Sequence, residues 1–446
     1  MNSEIIISIF LNIFLAILFI LTFWAMITNL YNIFLSFFGW GKTKRDYKLI
    51  SPETSFLILI AAHNEEDVIE DTLINLEKID YDKNLYDIVV VSDNSTDNTT
   101  QICRDRGYRV VDTIQKEFPR EGVGKPGGLQ YALREIGFEN VKNNYDLLMV
   151  LDADNYVDSN ILTEINSQYQ HHNHPTCIQT YLDSKNHGSV LSVGYNCAYF
   201  YSNRFFQLSK YRLGLPNSIG GTGFFVKTDF LIDSGGFNYS SLTEDLEMEI
   251  EIVEQHGKVL WNHFVRIYDE KPDDLKVSIK QRIRWAQGHW YVAFTNFFTL
   301  IKLFFKEWKW KYIDQLIYLF GMTKSIQLLL IFISFISVLL VSIITQNGVV
   351  LDNITMNISN YLTNNIVLVV ISNVYAYFML VPYALHMDAK VDIPLYKAIL
   401  GLLYMGWTYI YCQIIGLFKC RNQKVWVKTP HKYTTESNKI SVGESN

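Results

Sequence analysis

Four short stretches of this chain carry residue types at spacings that suit chemistry on a phosphorylated substrate. Asp152 and Asp154, in Asp152-Ala153-Asp154, set two hard oxygen ligands one residue apart, which suits Mg2+ or Mn2+ held against phosphate oxygens, although such a pair is also common at turns. Gly122, Gly124, Lys125, Gly127 and Gly128 precede a helix predicted over Leu129–Ile136. Bare backbone amides, a lysine and a helix N-terminus suit an anion such as a diphosphate, which makes Lys125 a candidate nucleotide ligand. The order is not that of a Walker loop, and a flexible loop is the competing reading. Thr243-Glu244-Asp245 opens an acidic helix predicted over Leu246–Gln255 and ended by Gly257. Helix capping explains acids there, yet Asp245 is also placed to act as a general base. In Gln281-Arg282-Ile283-Arg284-Trp285, spacings of three and four put Gln281, Arg284 and Trp285 on one helix face. Arg supplies a planar fork for phosphate and Trp an apolar platform for a sugar ring; a membrane-surface helix is the alternative.

The elements that must position these residues alternate between strand and helix from about 51 to 280. Phe56–Ala62, Asp87–Ser92, Arg109–Ile114 and Leu147–Leu151 are apolar runs that read as buried strands. Glu66–Ile79 and Thr96–Arg106 read as helices between them. This pattern predicts an α/β layer with a mainly parallel sheet covered on both faces. Polar clusters follow three of the strands: His63-Asn64-Glu65-Glu66, then Asp93 to Asp97, then Asp152 to Asp154. Ligands of open α/β sheets bind beyond the carboxyl ends of the strands, so the three clusters converge on one site.

The flanks are apolar. No charge occurs from Ile5 to Gly41, enough for one membrane span, and Lys42, Lys44, Arg45 and Lys48 follow at once. That order predicts an N-terminus outside and the next domain inside. Ser325–Leu351, Ile366–Met387 and Ala398–Phe418 are further uncharged runs. Tyr291–Tyr312 mixes aromatic rings with Lys302, Lys306, Lys309 and Lys311, as in a helix lying in the headgroup plane. Three C-terminal crossings would leave the tail outside, whereas Lys419, Arg421, Lys424, Lys428 and Lys432 mark it as inside, so either one run is interfacial or re-entrant or the number of crossings differs from this count. The expected division is a span over 1–41, a catalytic domain over 51–290, interfacial helices over 291–324, spans over 325–418 and a basic tail over 419–446. A net charge of −6 excludes a nucleic-acid binder built on phosphate neutralisation. The five cysteines show no CxxC pair and read as reduced thiols.

Together, AxHNEE, DAD, TED and QxxRW in this order, with membrane runs on both flanks, resemble the membrane-integrated family 2 glycosyltransferases, the group of cellulose, hyaluronan and poly-N-acetylglucosamine synthases. The resemblance implies a GT-A (Rossmann-like) fold combined with transmembrane helices, and inverting transfer from a UDP-sugar on the cytosolic face of the cell membrane. It implies that His63, Glu65 and Asp93 form the uridine pocket, Asp152 and Asp154 hold nucleotide and metal, and Asp245 is the general base. Gln281, Arg284 and Trp285 correspond to the diphosphate and acceptor segment, and Gly221 and Thr222 to an acceptor-side loop. His63 stands where relatives have Tyr, and Ser92-Asp93 where they have an acidic pair. The leading expectation is a processive β-glycan synthase, UDP-glucose favoured over UDP-N-acetylglucosamine, that passes its product through its own membrane helices. The alternatives are transfer of one sugar to a membrane lipid and a non-catalytic nucleotide-sugar sensor.

Overall fold

A computed structural model describes residues 3–115, 118–122, 124–321, 324–346 and 353–423. Eight strands form one sheet: β1 (Phe56–Ala62), β2 (Tyr86–Ser92), β3 (Arg109–Asp112), β4 (Leu147–Asp152), β5 (Tyr156–Val157), β6 (Cys177–Ser184), β7 (Phe224–Lys227) and β8 (Val259–Asp269), in the order β3-β2-β1-β4-β7-β6-β8-β5. β1, β2, β3 and β4 run parallel to one another, as their Val/Ile/Leu runs predict. The register pairs Ala62 with Ser92 and Ala61 with Asp152, so β1, β2 and β4 end level with one another. β7 is antiparallel to both β4 and β6, and β5 to β8. An antiparallel β7 begins where β4 ends, which brings the preceding Gly220–Gly223 turn to the same edge; the Gly223 N–H is bonded to the Val150 carbonyl at 2.8 Å.

Alternate residues of β1 feed opposite cores. Phe56, Ile58 and Ile60 pack with Ile69, Leu73, Leu76 and Ile161, whereas Leu57 and Leu59 pack with Leu129, Leu133, Leu231 and Met248. The helices between strands are shorter than predicted, Ile69–Leu76 and Thr99–Asp105, and β3 gives way at Thr113–Gln115 to a 3-10 turn. The acidic helix spans Glu244–Glu254, and the left-handed residue beyond it is His256 (φ 63°), not Gly257. Gly257 is needed for space instead, since a Cβ there would meet Thr176 Oγ1 at 2.6 Å.

A 34-residue helix, Ser3–Ser36, carries the first apolar run. Among the described residues, three helices are long and apolar enough to cross a membrane: Asn12–Ser36, Asn357–Asp388 and Leu395–Lys419; Leu329–Ile343 is a shorter apolar stretch within the Lys324–Gln346 helix. Leu15, Leu18 and Ala25 pack with Leu330, Val341 and Leu362, so the first helix is bundled with the Lys324–Gln346 and Asn353–Tyr375 helices. Leu395–Lys419 touches the Lys324–Gln346 helix as well, but packs mainly along Val190–Ser202 and the 33-residue helix Leu275–Glu307 of the strand-bearing domain. Leu275–Glu307 runs unbroken through the boundary expected at 290, and Trp310–Leu319 follows it. Of the tail, Lys424, Lys428 and Lys432 lie outside the described residues, as does the end of the Ser325–Leu351 run.

The contact of Leu395–Lys419 with Val190–Ser202 is backbone on backbone: a Cβ on Gly401 would sit 2.7 Å from Gly194 N and from Val190 O. Gly401→Ala should therefore cost about 1–3 kcal/mol by forcing the helices apart. Gly188→Ala, with open space around its Cβ, should be neutral. Thermal unfolding in detergent compares the two.

Candidate active site

His63, Glu65, Asp93, Lys125, Asp152, Asp154, Gly221, Thr222, Asp245, Gln281, Arg284 and Trp285 all line one cavity of about 760 Å³ at the carboxyl edge of the sheet. Every residue singled out from the sequence is thus brought to the same place. His63 and Asp93 arrive side by side because β1 and β2 end level, and the His63 Nδ1 lies 2.6 Å from the Asp93 carbonyl. Asn64 takes the left-handed conformation (φ 55°) that turns the chain here, and the Glu65 N–H is bonded to Thr99 Oγ1 at 2.8 Å.

The second half of the glycine-rich stretch is helical rather than loop. Its helix begins at Lys125, four residues before the predicted start at Leu129, so Gly127 and Gly128 lie in the first turn. A Cβ on Gly128 would come within 3.0 Å of the Asp93 side chain, so small residues there let the helix end approach β2. Lys125 Nζ donates to Asp152 Oδ1 at 2.5 Å and to the Gly221 carbonyl at 2.6 Å. The Asp152 N–H donates to Thr222 Oγ1 at 3.1 Å, and Thr222 donates on to Asn155 Oδ1 at 2.6 Å. Gln179 and Glu249 hold the turn from behind, accepting from Gly220 N at 2.8 Å and Ile219 N at 3.1 Å. Gly221 is left-handed (φ 78°), and a Cβ there would stand 3.2 Å from Asp245 Oδ2. Only glycine lets this backbone pass so close to the carboxylate.

Asp245 accepts the Leu246 N–H at 2.9 Å. Leu275–Glu307 starts at Asp274, whose Oδ1 accepts from Lys276 N at 2.9 Å and Val277 N at 3.0 Å, and its second and third turns carry Gln281, Arg284 and Trp285 to the cavity. The fit of this helix against Thr243 depends on Gly288, where a Cβ would meet Thr243 Oγ1 at 2.5 Å. Gln281 Oε1 is buried with no hydrogen-bond partner, an acceptor facing a site where a ligand hydroxyl would satisfy it.

Charge is concentrated here. Burial pushes the Glu244 carboxyl up to about 7, the Asp245 charge adds to the rise, and Lys125 and Arg284 oppose it. Burial raises Asp245 as well, against the pull of the Leu246 N–H, Lys125 and Arg284. Burial lowers Arg284, and the charges of Glu244, Asp152 and Asp245 resist that shift, so the guanidinium stands among all three acids. Asp154 is 5% exposed and accepts from Asn155 Nδ2 at 2.9 Å and Glu270 N at 3.1 Å. Among the described residues no group of three or more His, Cys, Asp or Glu side chains is placed to hold a metal ion. Asp152 and Asp154 offer two carboxylates of the oxygen chemistry that a hard divalent ion takes, and an ion held there would need its remaining oxygens from phosphate and water.

Sequence reasoning missed part of the wall. Arg120, Asp269, His289, Tyr199, Tyr318 and Tyr409 also line the cavity. Tyr199, Tyr318 and Tyr409 sit in aromatic-rich helical stretches where no local signal separates a cavity wall from a packed core. A second cavity, of about 300 Å³, shares His289, Tyr318 and Tyr409 with the first and reaches Thr28, Tyr31 and Asn32 of the first helix and Trp290 and Gln413.

Residues 52–288 match the family described as "Glycosyltransferase like family 2". The poly-beta-1,6-N-acetyl-D-glucosamine synthase of Staphylococcus aureus is 26% identical over 246 residues, 55% of this chain and 57% of that protein. The Bacillus subtilis protein described as "Probable glycosyltransferase YdaM" is 26% identical over 278 residues, 59% of this chain and 61% of its own length. The chain thus spans less than two thirds of either relative. The mannosyltransferase PcManGT from Pyrobaculum calidifontis, solved in complex with GDP-Man and Mn2+, superposes with a TM-score of 0.51 at 16% identity, over 88% of this chain and 99% of that one, and so shares the fold.

A carboxyl held above its unfolded value binds more protons in the folded state, so stability falls as pH rises through the window between the two values. For Glu244 that window runs from 4.5 to about 7. Glu244→Gln should raise the melting temperature at pH 8 by a few degrees and change it little at pH 4, which differential scanning fluorimetry across pH measures.

Proposed function

Because the chain belongs to glycosyltransferase-like family 2, we propose that it is an inverting, UDP-sugar-dependent transferase that extends a β-linked polysaccharide. The observation that carries this reading is that Asp245, Arg284, Lys125 and the Asp152/Asp154 pair share one cavity. His63, Glu65 and Asp93 bind the uridine end, and Lys125 and Asp152 sit where the diphosphate would lie. When bound, Mg2+ or Mn2+ at Asp152 and Asp154 supplies charge neutralisation for that diphosphate. Gln281 and Trp285 hold the acceptor end, with Gly221 and Thr222 beneath it.

In the transfer step the Asp245 carboxylate takes the proton of the acceptor hydroxyl, and that oxygen forms a bond to the sugar C1. The bond from C1 to the diphosphate oxygen breaks from the opposite side, and its electron pair leaves with UDP. Lys125 and Arg284 meet the charge that develops on the leaving group. One displacement converts an α-linked donor into a β-linked product.

The second cavity supports processive growth. It lies on the other side of His289, Tyr318 and Tyr409 and reaches Thr28, Tyr31 and Asn32 of the first helix, so rotation of those side chains would open a route toward the apolar helices with aromatic and hydrogen-bonding walls. The packing of Leu395–Lys419 supports an orientation. One side of that helix lies on the strand-bearing domain, with Arg282 donating to the Met405 carbonyl and to Thr408 Oγ1, both at 2.9 Å. The other side exposes Tyr396, Tyr404, Trp407 and Tyr411, which suits the headgroup plane. With this helix interfacial, the crossings are the first helix, Lys324–Gln346 and Asn357–Asp388. Three crossings place the catalytic domain and the basic tail together in the cytosol, and the parity conflict in the sequence disappears.

Purified protein in nanodiscs, given labelled UDP-glucose or UDP-N-acetylglucosamine with Mg2+ or Mn2+, should release UDP and build a polymer from one of them. The S. aureus relative's name supports N-acetylglucosamine rather than the glucose favoured from the sequence. Asp245→Asn should lower kcat by about 10²–10⁴-fold while UDP still binds, and EDTA should abolish transfer. A product that stops at one sugar on a lipid would overturn processivity, and near-normal elongation by Asp245→Asn would overturn the base assignment.

A further inference from the structure

Among the described residues Leu395–Lys419 is the last helix, and its end turns back to the active site. The Cys420 N–H donates to the Leu417 carbonyl at 3.4 Å and the Asn422 N–H to the Lys419 carbonyl at 2.8 Å. Gln423 then reaches in two directions. Its Oε1 accepts the Leu242 N–H at 2.7 Å, and its Nε2 donates to the Gln287 carbonyl at 3.3 Å and the Cys420 carbonyl at 2.6 Å. Gln287 answers with its own Nε2, which donates to the Asn422 carbonyl. Leu242 lies three residues before Asp245, and Gln287 two residues after Trp285. One side-chain amide thus joins the segment that leads into the acidic helix to the helix that carries Arg284.

The packing around this amide is close enough to transmit position. A Cβ on Gly416 would meet Ala286 Cβ at 2.5 Å and Gln287 N at 2.9 Å, and a Cβ on Gly288 would meet Thr243 N at 2.8 Å. Leu395–Lys419 therefore lies directly on Leu275–Glu307, which lies directly on Thr243, and Gln423 ties the first layer to the third. Thr243 makes no side-chain cap to the acidic helix, and its Oγ1 is buried with no hydrogen-bond partner. The Ser240 and Ser241 N–H groups are bonded to Glu247 at 3.2 and 2.9 Å, within the same stretch of chain, and so move with it. The Leu242 N–H is bonded across 181 positions and sets that stretch against the rest of the molecule. Leu242, Thr243, Glu244, Asp245, Arg284 and Trp285 line the cavity, whereas Gln423 stands behind its wall. The donor-side groups His63, Asp93, Lys125 and Asp152 come from the ends of β1, β2 and β4 and the Lys125–Ile136 helix, to which Gln423 makes no hydrogen bond among the described residues.

We propose that Gln423 is a positioning residue for transfer, holding Asp245 in register with Arg284 and Trp285 from the end of the last apolar helix. This extends the reading of Asp245 as base and Arg284 as partner of the leaving group, and rests on it. A base that meets an acceptor hydroxyl while an arginine meets the diphosphate needs both elements fixed to within about 1 Å. A side chain bonded to both sets their spacing.

The test compares full-length wild type and Gln423→Ala in nanodiscs with Mg2+, using whichever of UDP-glucose and UDP-N-acetylglucosamine the wild type consumes. In the variant, kcat per UDP-binding site should fall by about 10–100-fold, while the donor KM and the Kd for UDP stay within twofold. A folding loss alone lowers the number of sites and leaves kcat per site where it was. An unchanged kcat per site, or a loss of UDP affinity in parallel with kcat, would refute the positioning role. Hydrogen–deuterium exchange adds a measurement on the wild type itself. The Leu242 amide should exchange slowly there and rapidly in Gln423→Ala, with peptides of β1 and β2 unchanged. Rapid exchange at Leu242 in the wild type would remove the contact whatever the variant does. A wild type that binds no UDP and consumes neither sugar nucleotide would instead overturn the donor assignment, and the positioning role with it.

Discussion

Lys125 reaches Asp152 at 2.5 Å and the Gly221 carbonyl at 2.6 Å, and through those two contacts it ties together three separate parts of the chain. Its helix end, the end of β4 and the turn before β7 would otherwise carry acids and bare carbonyls facing one another across a poorly solvated cleft. With Arg284 entering from the far side, two cations stand among Asp152, Glu244 and Asp245. Carboxylates crowded into such a wall remain ionisable only where cations compensate them. The two groups that make the empty cleft tolerable are also the two that can meet charge on a departing diphosphate. Binding and stability draw on the same electrostatics, and the raised carboxyls show that the compensation is incomplete.

The sheet is what allows so few contacts to suffice. Parallel strands ending in register deliver His63, Asp93 and Asp152 to one edge without any long-range side-chain network. A single antiparallel strand, β7, then adds the Gly220–Gly223 turn to that edge. Had β7 been parallel, its leading turn would lie at the opposite edge, far from Asp245.

The half of this arrangement built from β1 to β4 was legible in the sequence, because buried parallel strands are continuous apolar runs and their polar successors stand out. β6 was not. Cys177–Ser184 is buried throughout yet carries Gln179, Thr180, Asp183 and Ser184, whose polar groups are satisfied by neighbours distant in sequence, such as the Gly223 carbonyl for Thr180 and Arg266 for Asp183. Hydrophobic pattern cannot announce a strand whose burial depends on partners 40 or 80 residues away. The motif residues line one cavity, and their convergence was legible because each sits at the end of a recognisable element. Arg120 was passed over because its meaning lies in a pairing with Asp93 across 27 positions. Leu395–Lys419 meets the length and apolarity of a span, as its uncharged run predicts, but its packing partners along the strand-bearing domain have no local signal in the sequence.

Those partners bear on why catalytic and membrane parts belong to one chain. Tyr318 and Tyr409, which separate the two cavities, come from Trp310–Leu319 and Leu395–Lys419, outside the strand-bearing domain. Trp310–Leu319 is secured by Asp314, which accepts from Tyr31 of the first helix at 2.5 Å and pairs with Lys210 at 2.8 Å, with the Lys210 and Asp314 side chains wholly buried. On the other flank, Asp388 at the end of its span accepts from Arg204 Nε at 2.7 Å and lies 3.2 Å from His263 on β8. Buried ion pairs add little net stability over apolar packing, but a slipped register that leaves one charge unpaired is strongly penalised. They therefore act as indexing marks. They hold the apolar helices in one rotational setting against the sheet, and that setting decides whether Tyr318 and Tyr409 close the wall of the cavity in which Asp245 and Arg284 stand.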